Sequence, residues 1–177
     1  MFYYAGYFCV LNCSFKEGKN MSYKSLAVAN YLLDRAKGKH DTLTPMQLIK
    51  LTYIAHGWML GKYGAALLLE PVEAWQYGPV IPSIYRAIKD FGSSPVQFIK
   101  GYSPYAPIQF NDQEREIMDT VYDKYAQYDG IVLSNATHQP TSPWSKVPLN
   151  YPALVISNDL IENFYRNNVV NTSHSAL

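Results

Sequence analysis

The residues whose types and settings could do chemistry are few. Four histidines, His40, His56, His138 and His174, are spread along the chain, with no H-E-x-x-H and no pair spaced i, i+4. A metal centre would therefore need ligands from separated elements, and His56, Glu73 and His138 are the one trio worth considering. Glu73 lies between Val72 and Ala74, where an apolar setting could shift a carboxyl pKa. The alternative is that it anchors a neighbouring turn or a helix N-terminus. Ser134 and Ser142 flank His138 in sequence, but a catalytic triad is defined by geometry and not by chain proximity. The chain carries no phosphate-binding P-loop, no G-x-S-x-G elbow and no dinucleotide fingerprint. No catalytic residue, cofactor or metal is assigned from these patterns.

Composition narrows the classes further. The chain has 177 residues, 48% hydrophobic and 16% charged, which is globular and long enough to bury about two-thirds of its unfolded surface in one core. A formal net charge of +1 supplies no general attraction to nucleic acid or to an anionic membrane. Lys37 with Lys39, and Arg86 with Lys89, read as solvated charges and not as a basic recognition face. Nucleic acid and membrane are thus not expected partners. Both cysteines, Cys9 and Cys13, fall in the first twenty residues, so the body has no thiol for disulfides or zinc and suits a reducing cytoplasm.

The elements that must position these groups centre on residues 73–80, E-A-W-Q-Y-G-P-V. We read Glu73, Ala74 and Trp75 as the end of an extended segment, with Tyr77 leading into a turn at Gly78 and Pro79. That turn aims Ile81, Ile84, Tyr85 and Ile88, whose i, i+3, i+4, i+7 spacing predicts one apolar helical stripe. Residues 67–75, apolar with Pro71 inside, predict a short hairpin arm or edge strand.

The rest reads as helices with short joints. Ser22 is placed to cap a helix carrying Leu26, Ala29 and Leu33 and ending near Lys37 and Gly38. Thr44-Pro45-Met46-Gln47 is a capping box with proline at the first helical position, opening a helix over about 45–63 that stops at Gly64. Met46, Ile49, Tyr53 and Leu60 fall on one arc of it, and Leu48, Leu51, Ala55 and Trp58 on nearly the opposite arc. A helix apolar on two sides is central and buried. His56 shares a line with Thr52 and Tyr63 between the arcs, so it is expected at a boundary with hydroxyl neighbours, either as a satisfied structural histidine or with a functional role.

Residues 92–107 form the longest irregular stretch, with a short strand expected over 96–99; Tyr102 and Tyr105 there suit partner contact. Asn111 to Glu114 opens a further helix with Ile117, Val121, Tyr125 and Tyr128 on its apolar face, ended by Asp129 and Gly130. Ser134 is then expected to cap a short helix through Thr137 and His138, after which Pro140 and Pro143 deliver Trp144. Ser157 caps a last helix with Leu160, Ile161 and Phe164. The fold class is mainly α, a single-domain helical bundle with a small β element.

Four pieces, L-I-K-L-T-Y-I-A-H-G-W at 48–58, E-A-W-Q-Y-G-P-V-I-P-S-I-Y at 73–85, L-S-N-A-T-H at 133–138 and S-P-W at 142–144, stand in an order and spacing that resembles the SocA-like antitoxin, or Panacea, domain. That domain is found in phage-associated proteins of the GepA type, and the resemblance covers about 22–165. It places the family motif on His56, Trp58, Glu73, Trp75, Tyr77, Gly78, Pro79, Thr137, His138 and Trp144, mostly as packing and turn geometry. It implies a cytoplasmic antitoxin of a toxin–antitoxin or prophage module that neutralises a protein toxin by binding it. One branch of the family looks like a proteolytic adaptor delivering its toxin to a AAA+ protease.

Residues 1–20 lie outside the pattern and are read as an N-terminal extension ahead of a natural start at Met21; 21–167 is the domain and 168–177 a flexible tail. Two further classes stay open at this level: a small phage enzyme using His56, Glu73 and His138, and a DNA-binding regulator.

Overall fold

The first helix, α1 (Phe8–Gly38), ends where Lys37 and Gly38 place its stop, but its backbone begins well before Ser22. Ser22 is therefore an interior helical residue and not a cap, since no proline interrupts residues 8–21. The computed structural model describes residues 8–148 and 154–167, and for 8–22 the backbone alone. The expectations for residues 1–7 and for a flexible tail over 168–177 lie outside the described residues.

The centre of the molecule is α2 (Pro45–Tyr63). Thr44 Oγ1 accepts from the Gln47 amide while the Gln47 side chain returns to the Thr44 amide, and Gly64 closes the helix with φ of 64°. Its two apolar arcs are both covered: Leu48, Leu51, Ala55, Tyr53 and Leu60 are all buried. It packs against α1, α3 (Pro82–Ile88), α4 (Asp112–Tyr125), α5 (Gly130–Thr137), α6 (Asn158–Tyr165) and the sheet. The closest approach is that of α6, where a Cβ on Gly61 would lie 2.8 Å from the Tyr165 backbone carbon. Only a residue without a side chain fits between these backbones.

A three-stranded antiparallel sheet, ordered β2-β1-β3, is formed by β1 (Val72–Trp75), β2 (Gly78–Val80) and β3 (Leu154–Ile156). Glu73 pairs with Val80 on one side and with Val155 on the other. The expected edge strand near 67–75 is thus the central strand. Pro71 is compatible with this because it precedes β1 and occupies no ladder position. The partner that makes β1 central is β3, a three-residue strand too short to stand out in the sequence.

Several local expectations differ from what is observed. Residues 96–99 form no strand; Val96 and Ile99 are buried from a loop, and the Val96 amide donates to the Leu43 carbonyl at 2.8 Å. Tyr85 lies on α3 but is 37% exposed, so of the predicted stripe Ile81, Ile84 and Ile88 are core and Tyr85 is not. Asp129 does not end the preceding helix but caps α5, its carboxylate accepting from the Ile131 and Val132 amides at 2.9 and 2.8 Å. Ser134 is consequently inside α5 and free to use its hydroxyl elsewhere. α4 opens on the expected Asn111–Glu114 capping box and ends at Tyr125, leaving Tyr128 in the joint, 40% exposed. Among the described residues no helix is long and apolar enough to cross a membrane.

Candidate functional site

The turn joining β1 to β2 is held from three other elements, each supplying one side-chain donor to a carbonyl of the hairpin. Trp144 Nε1 donates to the Trp75 carbonyl at 2.8 Å. Ser134 Oγ, from the interior of α5, donates to the Tyr77 carbonyl at 2.9 Å. His138 Nε2 lies 3.4 Å from the Gln76 carbonyl, and its Nδ1 lies 2.6 Å from the Ser134 carbonyl. A neutral imidazole donates from one nitrogen only, and the shorter contact makes that nitrogen Nδ1. The fourth contact comes from α2, where Lys50 Nζ donates to the Pro79 carbonyl at 3.0 Å.

Gly78 is the point where these groups converge. Its φ is 98°, and a Cβ there would lie 2.7 Å from both Lys50 Nζ and Thr137 Oγ1 and 3.2 Å from His138 Cε1. Glycine is required twice over, by the backbone angle and by the space. Thr137 turns its hydroxyl back to the Ser134 carbonyl at 2.7 Å, and the His138 ring packs against Trp144 with centroids 3.9 Å apart. Gly78, Pro79, Thr137, His138 and Trp144, drawn from separate segments, therefore form one cluster.

Lys50 is the residue that sequence reasoning passed over. It is 1% exposed, and burial lowers its pKa from the usual lysine value to about 7. The signal was present: a lone lysine inside L-I-K-L-T-Y, on a helix apolar on two sides, has no solvent face to occupy.

His56 belongs elsewhere. It is fully buried, donates from Nε2 to Asn158 Oδ1 at 3.0 Å, and accepts at Nδ1 from the Leu68 amide at 3.2 Å. The expected hydroxyl neighbours do not bind it; Thr52 instead donates to the Leu48 carbonyl. Desolvation lowers the pKa of His56 to about 4, the Asn158 bond opposing this. It is a tie between α2, α6 and the segment before β1. Trp58, two residues on, packs edge-on to Tyr125 at 6.2 Å.

Glu73 is half-buried and accepts from Trp75 Nε1 at 2.8 Å, an anchoring bond within β1. Trp75 itself is half-buried, its ring set edge-on to Tyr85 at 4.9 Å. His56, Glu73 and His138 thus have wholly different hydrogen-bond partners, and none of the three lines the groove that runs beside the hairpin. Among the described residues no group of three or more His, Cys, Asp or Glu is placed to hold a metal ion.

That groove, of about 470 Å³, lies between the start of α2, the hairpin and α3. Met46, Ile49, Trp75, Tyr77 and Tyr85 line it, together with Lys50 and Lys89. Tyr77, expected to be packed with the turn, projects its ring outward and is 64% exposed. The other suggested contact residues divide. Tyr102 is stacked on Tyr23 with centroids 5.6 Å apart, in a loop that Tyr23 also holds, its hydroxyl donating to the Ala106 carbonyl at 2.8 Å and lying 3.0 Å from that of Ser103, whereas Tyr105 is 96% exposed.

Fold and site together define a small helical domain built around a hairpin bolted from α2, α5 and the Trp144 turn, with many of the motif side chains engaged in holding it. A family model described as "Antitoxin SocA-like, Panacea domain" matches residues 48–145, and the chain belongs to that family. The match begins within α2 and closes at Ser145, so it encloses every group that caps the turn. The chain is also similar to Antitoxin SocA of Caulobacter vibrioides (strain NA1000 / CB15N), 42% identical over 66 residues. That stretch is 37% of this chain and 35% of the relative, so the match spans about a third of the curated protein's length. No solved structure matches the chain.

Proposed function

We propose that this protein is a cytoplasmic antitoxin that neutralises a cognate protein toxin by binding it directly. Membership of the antitoxin family is the observation that carries this reading. The geometry supports it in a specific way: motif residues are hydrogen-bonded to the fold itself, while exposed rings such as Tyr77 and Tyr105 remain for a partner. The separate partners of His56, Glu73 and His138 give no support to a catalytic reading.

The test is co-expression. The adjacent open reading frame is induced alone and with this protein, growth is scored, and the complex is isolated. Toxicity of the neighbour alone, rescue on co-expression and a recoverable complex are expected; a harmless neighbour would remove the reading. Toxin half-life then separates two modes of neutralisation. A half-life shortened only when a AAA+ protease is present identifies a proteolytic adaptor, and an unchanged half-life identifies sequestration.

A further inference from the structure

Nine large hydrophobic side chains are exposed on the described surface, and two of them share one groove. Tyr77 and Tyr85 line the groove beside the hairpin, 64% and 37% exposed. Exposed aromatic rings gathered at one groove mark an interaction site.

The charge of the groove limits what can occupy it. Its lining contains two lysines, Lys50 buried and Lys89 exposed, and no carboxylate. Glu70 and Glu73 lie outside the lining and accept from Ser83 and the Trp75 indole. Lys50 donates to the Pro79 carbonyl, which leaves Lys89 as the exposed charge of the groove. A basic occupant would meet like charge at Lys89, whereas a carboxylate would find a donor there.

Strand addition at the adjoining edge is disfavoured. In the outer strand β2, Pro79 has no amide hydrogen and its carbonyl is taken by Lys50. Recognition here must use side chains, and the groove offers aromatic and thioether walls for apolar ones.

We propose that this groove is the docking site for an acidic, apolar segment of a partner protein, in which a carboxylate is flanked by large apolar side chains. The proposal deepens the antitoxin reading and rests on it, the partner being the toxin.

Two arms test it with the full chain. In the first, Tyr77→Glu and Met46→Glu are compared with wild type and with Thr120→Glu, on the exposed face of α4 and outside the groove lining, in the co-expression assay, each variant being first checked for a wild-type melting temperature. Loss of rescue with the two groove variants and retained rescue with Thr120→Glu is the expected result. Equal rescue by all would overturn the groove while leaving the antitoxin reading standing. If the wild type itself does not rescue, the antitoxin reading fails and the second arm decides. There a random peptide library displayed on phage is selected on the immobilised protein. Enrichment of peptides pairing Asp or Glu with large apolar residues, binding about tenfold more weakly to Lys89→Glu and to Tyr77→Glu, supports the groove. No acidic enrichment, or binding indifferent to both substitutions, overturns it.

Discussion

Trp144 donates its indole hydrogen to the carbonyl of Trp75 at 2.8 Å, joining two residues 69 positions apart. The bond fixes one end of the β1–β2 turn to the chain that follows α5. Removing the donor while keeping a ring leaves that carbonyl without its partner.

Trp144→Phe is therefore expected to destabilise the protein by about 1–2 kcal/mol, measured as a shift in the urea midpoint at constant slope. Trp144→Ala, which also removes the ring packed on His138, is expected to cost more, about 3 kcal/mol. Equal midpoints for wild type and Trp144→Phe would show that the bond contributes nothing.

Gly78→Ala and Gly92→Ala form a controlled pair. Both glycines have positive φ, 98° and 59°, but a Cβ at Gly92 meets nothing within 4 Å whereas one at Gly78 meets Lys50 Nζ and Thr137 Oγ1 at 2.7 Å. Gly92→Ala is expected to cost about 1 kcal/mol from backbone strain alone, and Gly78→Ala at least twice that. Similar melting temperatures for the two variants would contradict the convergence of side chains at the turn.

Acid should weaken the fold through His56. Its folded pKa of about 4 lies below the usual 6.5, so the unfolded chain binds more protons in between. Stability is then greatest above pH 6.5 and falls as pH drops towards 4, by about 3 kcal/mol in total from this group. His56→Gln should flatten that part of the stability curve in denaturant titrations, whatever it does to the stability at neutral pH.

Lys50 acts in the alkaline direction. Burial lowers its pKa from 10.5 to about 7, so between these values the unfolded state again holds the extra proton and stability rises with pH. The gain is of order a few kcal/mol between about pH 7 and about pH 10. Lys50→Met removes the titrating group at similar length, and the rise in stability between about pH 7 and about pH 9, below the ionisation of unfolded tyrosines, should be lost. A wild-type slope retained in Lys50→Met would show that another group is responsible.

The domain boundary is open to the same treatment. We propose that the functional unit begins near Met21, because the family match, residues 48–145, lies wholly beyond it. A chain starting at Met21 should keep the melting temperature of the full chain within ~2 °C, a shift too small to reflect loss of a core contact. A drop several times larger would make the earlier part of α1 a structural element of the domain.

Much of the fold was legible because its signals are local. The Thr44–Gln47 and Asn111–Glu114 capping boxes, the stop at Gly64 and the Ser157 cap each depend on residues within one turn, and each is found where expected. Asp129 and Ser134 show the limit. Both are good caps by type, and only the packing of α5 under the hairpin decides that Asp129 caps and Ser134 reaches Tyr77.

By itself, then, the sequence determined that this is a mainly helical protein with α2 at its centre, and it carried the motif that marks its family. Periodicity, capping and turn chemistry act over a few residues, so they can be read along the chain. Tertiary structure alone decided that β1 is central, that Lys50 donates to the Pro79 carbonyl, that His56 pairs with Asn158, and that Tyr77 faces outward. Each of these depends on a partner from a distant segment, and nothing local in the chain specifies which carbonyl or carboxamide a buried donor will meet.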